Sequence, residues 1–141
     1  LAELGVGDTF GEEALISENR RNATITMQTD GAVMRLGKQD FNTLLNEPMT
    51  TWVDRDEAQR IVAKGGKWLD VRLPSEFEAH HEPGAINIPL YFIRLKLSTL
   101  DPKTPYILCC DTGRRSSAGA FVLNERGFDA RVLRGGLNLT D

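Results

Sequence analysis

YILCCDTGRRSSAGAFVLNERGF, residues 106–128, decides how the chain is read. YILC (106–109) is an apolar run of strand length. From Ser116 the pattern turns helical, with Ala118, Phe121 and Val122 on one face and Gly127 as the C-cap. CDTGRR is then a loop joining a strand end to a helix N-terminus. Such a loop can turn its backbone N–H groups inward as an anion cradle, aided by the helix dipole. Gly113 lets the chain turn tightly enough for this. Cys109 and Cys110 are the only cysteines. Strand side chains alternate, so the two point apart. Cys109 reads as a small buried hydrophobe. Cys110 reads as a nucleophile in the cradle, with Arg114 and Arg115 favouring its thiolate. A small oxyanion would sit beside it, against Asp111, Thr112, Gly113, Arg114, Arg115 and Ser116.

Working outward, WLDV (68–71), AINIPL (85–90) and ARVL (130–133) are further short apolar runs. A helical pattern, DRDEAQRIVAKGG, has Asp54 as N-cap and ends at Gly65-Gly66. Strands alternating with helices imply an α/β fold with a mostly parallel sheet flanked by helices. Ligands of such sheets lie beyond the strands' carboxyl ends. Asp70 and Arg72 follow one strand end; they are substrate contacts or an ion pair bracing the fold, and both readings stand. Residues 1–46 differ: ATITMQT and AVMRL alternate around Asp30-Gly31, a hairpin signal, and KQDFNTLL reads as a short helix that Pro48 breaks. The expected division is 1–48 and 49–141.

The 141 residues carry a net charge of −3, with 40% hydrophobic and 26% charged residues. That balance gives no reason to expect nucleic acid or a membrane surface as partner. No apolar run has bilayer length and no signal peptide opens the chain. The first residues, LAELGVGDTFGEEAL, begin mid-motif without Met, so the chain reads as a piece of a longer protein. Neighbouring cysteines close no loop, so a reducing, cytoplasmic setting with a free thiol is expected. His80 and His81 are adjacent and give no zinc spacing, so no metal is expected.

Cys110-Asp-Thr-Gly113-Arg-Arg115-Ser116 resembles the C-x-x-G-x-R-S loop of single-domain rhodaneses. LDVRLPSEF (69–77), HHEPGAINIPL (80–90) and GFDARVLRGG (127–136) are similar to other segments of that family, in order. The resemblance implies a sulfurtransferase. Cys110 would take the outer sulfur of thiosulfate or a similar donor as a persulfide and pass it to a thiol or cyanide. Arg115 is expected to brace the loop through Glu76 or Asp70, and Arg114 to meet the donor. No cofactor is implied. Two alternatives stand: a non-catalytic rhodanese-fold binding module, and a phosphatase or arsenate reductase using Cys109, whose spacing to Arg115 also fits.

FGEEALISENRRNATITM (10–27) resembles the phosphate-binding cassette of cyclic-nucleotide-binding domains, and AVMRLGKQDFNTLL (32–45) the strand and helix after it. The resemblance implies a partial β-roll at the N-terminus. It assigns Gly11, Glu12, Arg21, Asn22 and Ala23 to a nucleotide, with Glu12 on the ribose and Arg21 on the phosphate. A cyclic nucleotide is thus an expected ligand of the full-length protein.

Overall fold

The computed structural model describes residues 2–17, 20–21 and 23–138. Its centre is one parallel sheet of β1 (Trp52–Val53), β2 (Lys67–Asp70), β3 (Ile86–Asn87), β4 (Tyr106–Cys109) and β5 (Ala130–Leu133), in spatial order β1-β5-β4-β2-β3. The α/β class read from the sequence is the observed one. β4, buried at all four residues, lies in the middle. Its neighbours β2 and β5 lie on either side, so its carboxyl end opens where strand order reverses.

Alternation divides the core. Leu69, Tyr106, Leu108, Val132 and Cys110 face one side, packed with Val122 and Leu123 of α6 (Arg114–Glu125). Trp68, Ile107, Leu133 and Cys109 face the other, with Ala58 of α4 (Arg55–Ala63). The helix α4 starts as read: Asp54 Oδ1 accepts the Glu57 N–H at 2.8 Å. Several short elements escaped the sequence reading, β1 and α5 (Pro74–Ala79) among them. β1 is only two residues long, and α5 is a short helix with Pro at its first turn. AINIPL yields a strand only at Ile86–Asn87; Pro89 cannot extend the ladder and a 3₁₀ segment, Leu90–Thr99, follows.

The N-terminal part docks on α6. The helix α1 (Glu12–Ser17) is followed, after an irregular stretch, by a helical run of α2 (Lys38–Phe41), a π turn (Asn42–Asn46) and α3 (Glu47–Met49). Pro48 therefore does not end this helix. It supplies no N–H and its ring crowds the carbonyl four residues back, and the preceding turn has widened to the π form, with Glu47 N–H bonded to Asn42 O. The expected hairpin is a correction of another kind. Residues 23–37 bend at 28–30 without any strand among the described residues. Ile25, Met27, Val33, Met34 and Leu36 are all exposed there; with no second layer of a roll against them, these side chains gain nothing from pairing.

Ile16 and Phe41 pack on Ala118 and Phe121. This explains a second departure. One apolar face was expected for α6, yet Ser116 to Leu123 are all buried, because the sheet covers one side and the N-terminal segment the other. Phe41 and Phe121 meet edge to face at 5.2 Å and 62°. Phe121→Ala should lower unfolding stability by about 3–4 kcal/mol. Urea unfolding checks it; a midpoint equal to wild type would show that the contact carries no weight.

Candidate active site

The chain leaves β4 at Cys109 and enters α6 at Arg114, two residues before the sequence suggested. Gly113 makes this turn in the left-handed region, at φ 101°, where a side chain would be strained. A Cβ there would also lie 3.2 Å from the ring of Trp52. The turn aims amides at one sulfur. Cys110 Sγ accepts the Gly113 N–H at 3.0 Å and the Ser116 N–H at 3.4 Å, and Ser116 Oγ lies 3.3 Å away. These groups, at the start of a twelve-residue helix, stabilise negative charge on that sulfur.

The loop is clamped from behind. Leu137 N–H donates to Cys110 O at 2.8 Å and Asn138 N–H to Asp111 O at 3.1 Å. Gly136 brings this strap in, with φ 71°; a Cβ on it would stand 2.3 Å from Asp111 O. Sequence reading noted Gly135-Gly136 only as a motif end, because the partner lies more than twenty residues earlier in the chain.

Cys109 meets none of this. Its side chain points into the opposite core, with Leu69 O 3.9 Å away. Burial pushes its thiol far up, aided by the charge of Asp70.

Arg115 braces the loop. Its guanidinium makes a two-pronged bond to Glu76, at 2.8 and 2.9 Å, and reaches Asp111 Oδ1 at 3.0 Å. Of the two carboxylates the sequence offered, Glu76 is the partner. The hydrogen bond from Arg115 holds the Glu76 carboxyl below its ordinary range. Burial works against charge on Asp111, but Arg115 outweighs it and that carboxyl is also held down. Arg114 is exposed, as is Thr112, whose Oγ1 lies 3.5 Å from the Arg114 N–H.

Asp70 and Arg72 turn to each other. Arg72 Nη2 donates to Asp70 Oδ2 at 2.7 Å and to His80 O at 2.5 Å, while Arg72 Nε donates to Asp70 Oδ1 at 3.0 Å. Both are buried, and their backbone carbonyls are tied to Asn87 Nδ2. In this arrangement they join the ends of β2, α5 and β3 instead of presenting charge to the loop.

The residues expected to hold a nucleotide differ in exposure. Gly11 turns with φ 86° ahead of α1, and Arg21 and Ala23 are exposed. Asn22 lies outside the described residues. Glu12 is buried and ion-paired with Arg94 of the 3₁₀ segment; Glu13 Oε1 lies 3.4 Å from Arg94 Nε. Burial, then the charge of Arg126, lowers the Arg94 pKa. Arg94 gave no sequence signal beyond a charge within the apolar run YFIRLKL.

The Arg115 clamp has a pH signature. Both carboxyls are depressed in the folded state, so the stabilisation is complete above their unfolded values and is lost as pH falls through the folded ones. Arg115→Ala should cost about 1–2 kcal/mol at neutral pH, trimmed because Glu76 and Asp111 are part-exposed. The difference from wild type should shrink below about pH 4. Thermal melts across pH 3–7 check this; a constant difference would mean that packing, not charge, is lost.

Comparison with known proteins places this geometry. The rhodanese-like domain family matches residues 54–139, and the cyclic nucleotide-binding domain family matches residues 1–47. Thiosulfate sulfurtransferase PspE of Escherichia coli is 35% identical over 72 residues, covering 50% of this chain and 69% of that protein. Thiosulfate sulfurtransferase GlpE of Pseudomonas syringae is 29% identical over 85 residues, covering 60% and 80%. A rhodanese-related protein from Thermoplasma volcanium superposes with a TM-score of 0.58 at 28% identity, covering 62% of this chain and 86% of the other. With its parallel sheet and its cysteine loop between β4 and α6, the chain belongs to the rhodanese-like domain family.

Proposed function

We propose that the chain is a sulfurtransferase in which Cys110 carries the sulfur as a persulfide. The relatives named as thiosulfate sulfurtransferases support a sulfurtransferase-type function. The observation that carries the residue assignment is the convergence of the Gly113 and Ser116 N–H groups on Cys110 Sγ, at 3.0 and 3.4 Å. Thiolate attack on the outer sulfur of thiosulfate forms the Cys110 S–S bond and releases sulfite with the electron pair. The same amides that favour thiolate favour the persulfide anion, so the cradle serves both states. A thiol or cyanide then takes the sulfur. The sulfur rides on the protein's own cysteine, so the cycle calls for no cofactor or metal. A reducing, cytoplasmic setting would keep Cys110 free. Arg114, at the rim, and Ser116, at the sulfur, are the nearest polar contacts for a donor. The phosphatase register needs a reactive Cys109, whose raised thiol and buried side chain argue against it.

Intact mass after thiosulfate treatment tests the assignment. Wild type and Cys109→Ser should each gain one sulfur; Cys110→Ser should not. Gain in Cys110→Ser and not in Cys109→Ser would move the nucleophile to Cys109. No gain in any of them would favour a non-catalytic module.

We divide the chain into residues 1–48 and 49–141, a reading supported by the matches to residues 1–47 and 54–139, and take the first part as a regulatory module. A cyclic nucleotide whose ribose took Glu12 would have to displace Arg94, and so disturb contacts beside α6. In the full-length protein, saturating cyclic AMP should change the sulfur-transfer rate, and Glu12→Ala should abolish that response. A rate unmoved by cyclic AMP and cyclic GMP in wild type would leave the module a packing element.

A further inference from the structure

The charges around Cys110 cancel. The loop supplies Arg114 and Arg115 against Asp111, and Glu76 adds a second negative charge through its bond to Arg115. Asp70 and Arg72 neutralise each other. Among the described residues, these groups leave no net positive charge to draw in a dianion. Asp111 is the outlier, because it follows the nucleophile directly. Its Oδ1 accepts the Thr112 N–H at 2.9 Å, and Arg115 Nη2 lies 3.0 Å from the same oxygen. Yet its side chain is 39% exposed while Cys110 is fully buried. The carboxylate, on the residue next to the nucleophile, is therefore closer to solvent than the sulfur is. A donor with two negative charges meets twice the repulsion of a donor with one.

We propose that Asp111 is a specificity-determining residue that disfavours doubly charged sulfur donors such as thiosulfate and turns the site toward singly charged organic persulfides. This rests on the sulfurtransferase reading above. With a persulfide, Cys110 thiolate bonds to the terminal sulfur and the donor's S–S bond breaks. The departing thiolate takes the electron pair and one proton from water, leaving as a thiol; Cys110 is left as the persulfide anion. No oxidant or reductant enters. In this site Arg115 is spent on holding the loop, and Asp111 filters charge at its mouth.

The experiment compares single-turnover loading of the whole chain by thiosulfate and by cysteine persulfide, read as intact mass over time. Asp111→Asn keeps the oxygen that accepts from Thr112 and removes the charge. It should raise the thiosulfate-to-persulfide rate ratio about tenfold. Thiosulfate loading of the variant should also slow with added salt, since the arginines' attraction is no longer offset. Glu76→Gln removes the same formal charge behind Arg115 and should shift the ratio less. A ratio unmoved in Asp111→Asn, or moved equally by Glu76→Gln, overturns the role given to Asp111 while sulfur loading itself stands. Absence of loading by either donor in wild type sinks the sulfurtransferase reading, and this inference with it.

Discussion

The two amide N–H groups aimed at Cys110 Sγ exist only because the chain turns left-handed at Gly113. Most of the surrounding structure serves to hold that turn. Amides that point at a sulfur cannot at the same time bond to a neighbouring strand, so the turn must be held from elsewhere. The strap at Leu137 and Asn138 takes the carbonyls of Cys110 and Asp111. Ser117 takes the carbonyl of Gly113 through both its N–H and its hydroxyl, at 2.9 and 2.7 Å. Arg115 ties the outside of the loop to α5. Each device leaves the inward amides for the sulfur.

The ionic architecture follows a similar logic. Asp70 and Arg72 are buried together at the end of β2, and a buried pair is tolerable only with its remaining groups satisfied. Here the His80 carbonyl meets the guanidinium and the Arg72 N–H meets the carboxylate at 3.0 Å. Arg115, part-exposed, is bonded by two carboxylates. Positive charge near the nucleophile is thus mostly structural. The sulfur's stabilisation falls to backbone dipoles, which carry no net charge and need no reorganisation as charge develops.

Reading the sequence alone recovered what local chemistry dictates. Strand alternation separated Cys109 from Cys110, and Asp54 marked the start of α4, because each depends on residues within one element. The Glu76 partner of Arg115 was named as one of two choices, since charge and motif order narrow the field but distance cannot be read. The strap at Gly136, the wall made by Trp52 and the pairing of Glu12 with Arg94 were not legible. All three join segments far apart in sequence, and none has a periodic signature. The hairpin at residues 23–36 failed for a related reason: alternation reports a willingness to pair, and pairing needs an apolar layer to cover the strands. The helical run to Met49 outlasted Pro48 because a π turn absorbed the missing bond.

The N-terminal segment changes what α6 is. A helix that starts with the nucleophile's loop would ordinarily show one face to solvent; here Ala118 and Phe121 are roofed by Ile16 and Phe41. Arg94 lies in the 3₁₀ segment, whose Ile93 packs against the sheet side of the same helix, and it is bound from outside by Glu12. Among the described residues, Glu12 Oε2 and Arg94 Nη1 are buried without a hydrogen-bond partner, and Glu13 adds only a longer contact to Arg94 at 3.4 Å, so this pair meets much of its desolvation cost with few contacts. An arrangement of that kind is held by the packing around it more than by its own attraction. Loosening Ile16 or Phe41 would therefore release the ion pair as well, and the segment should leave α6 as one cooperative unit.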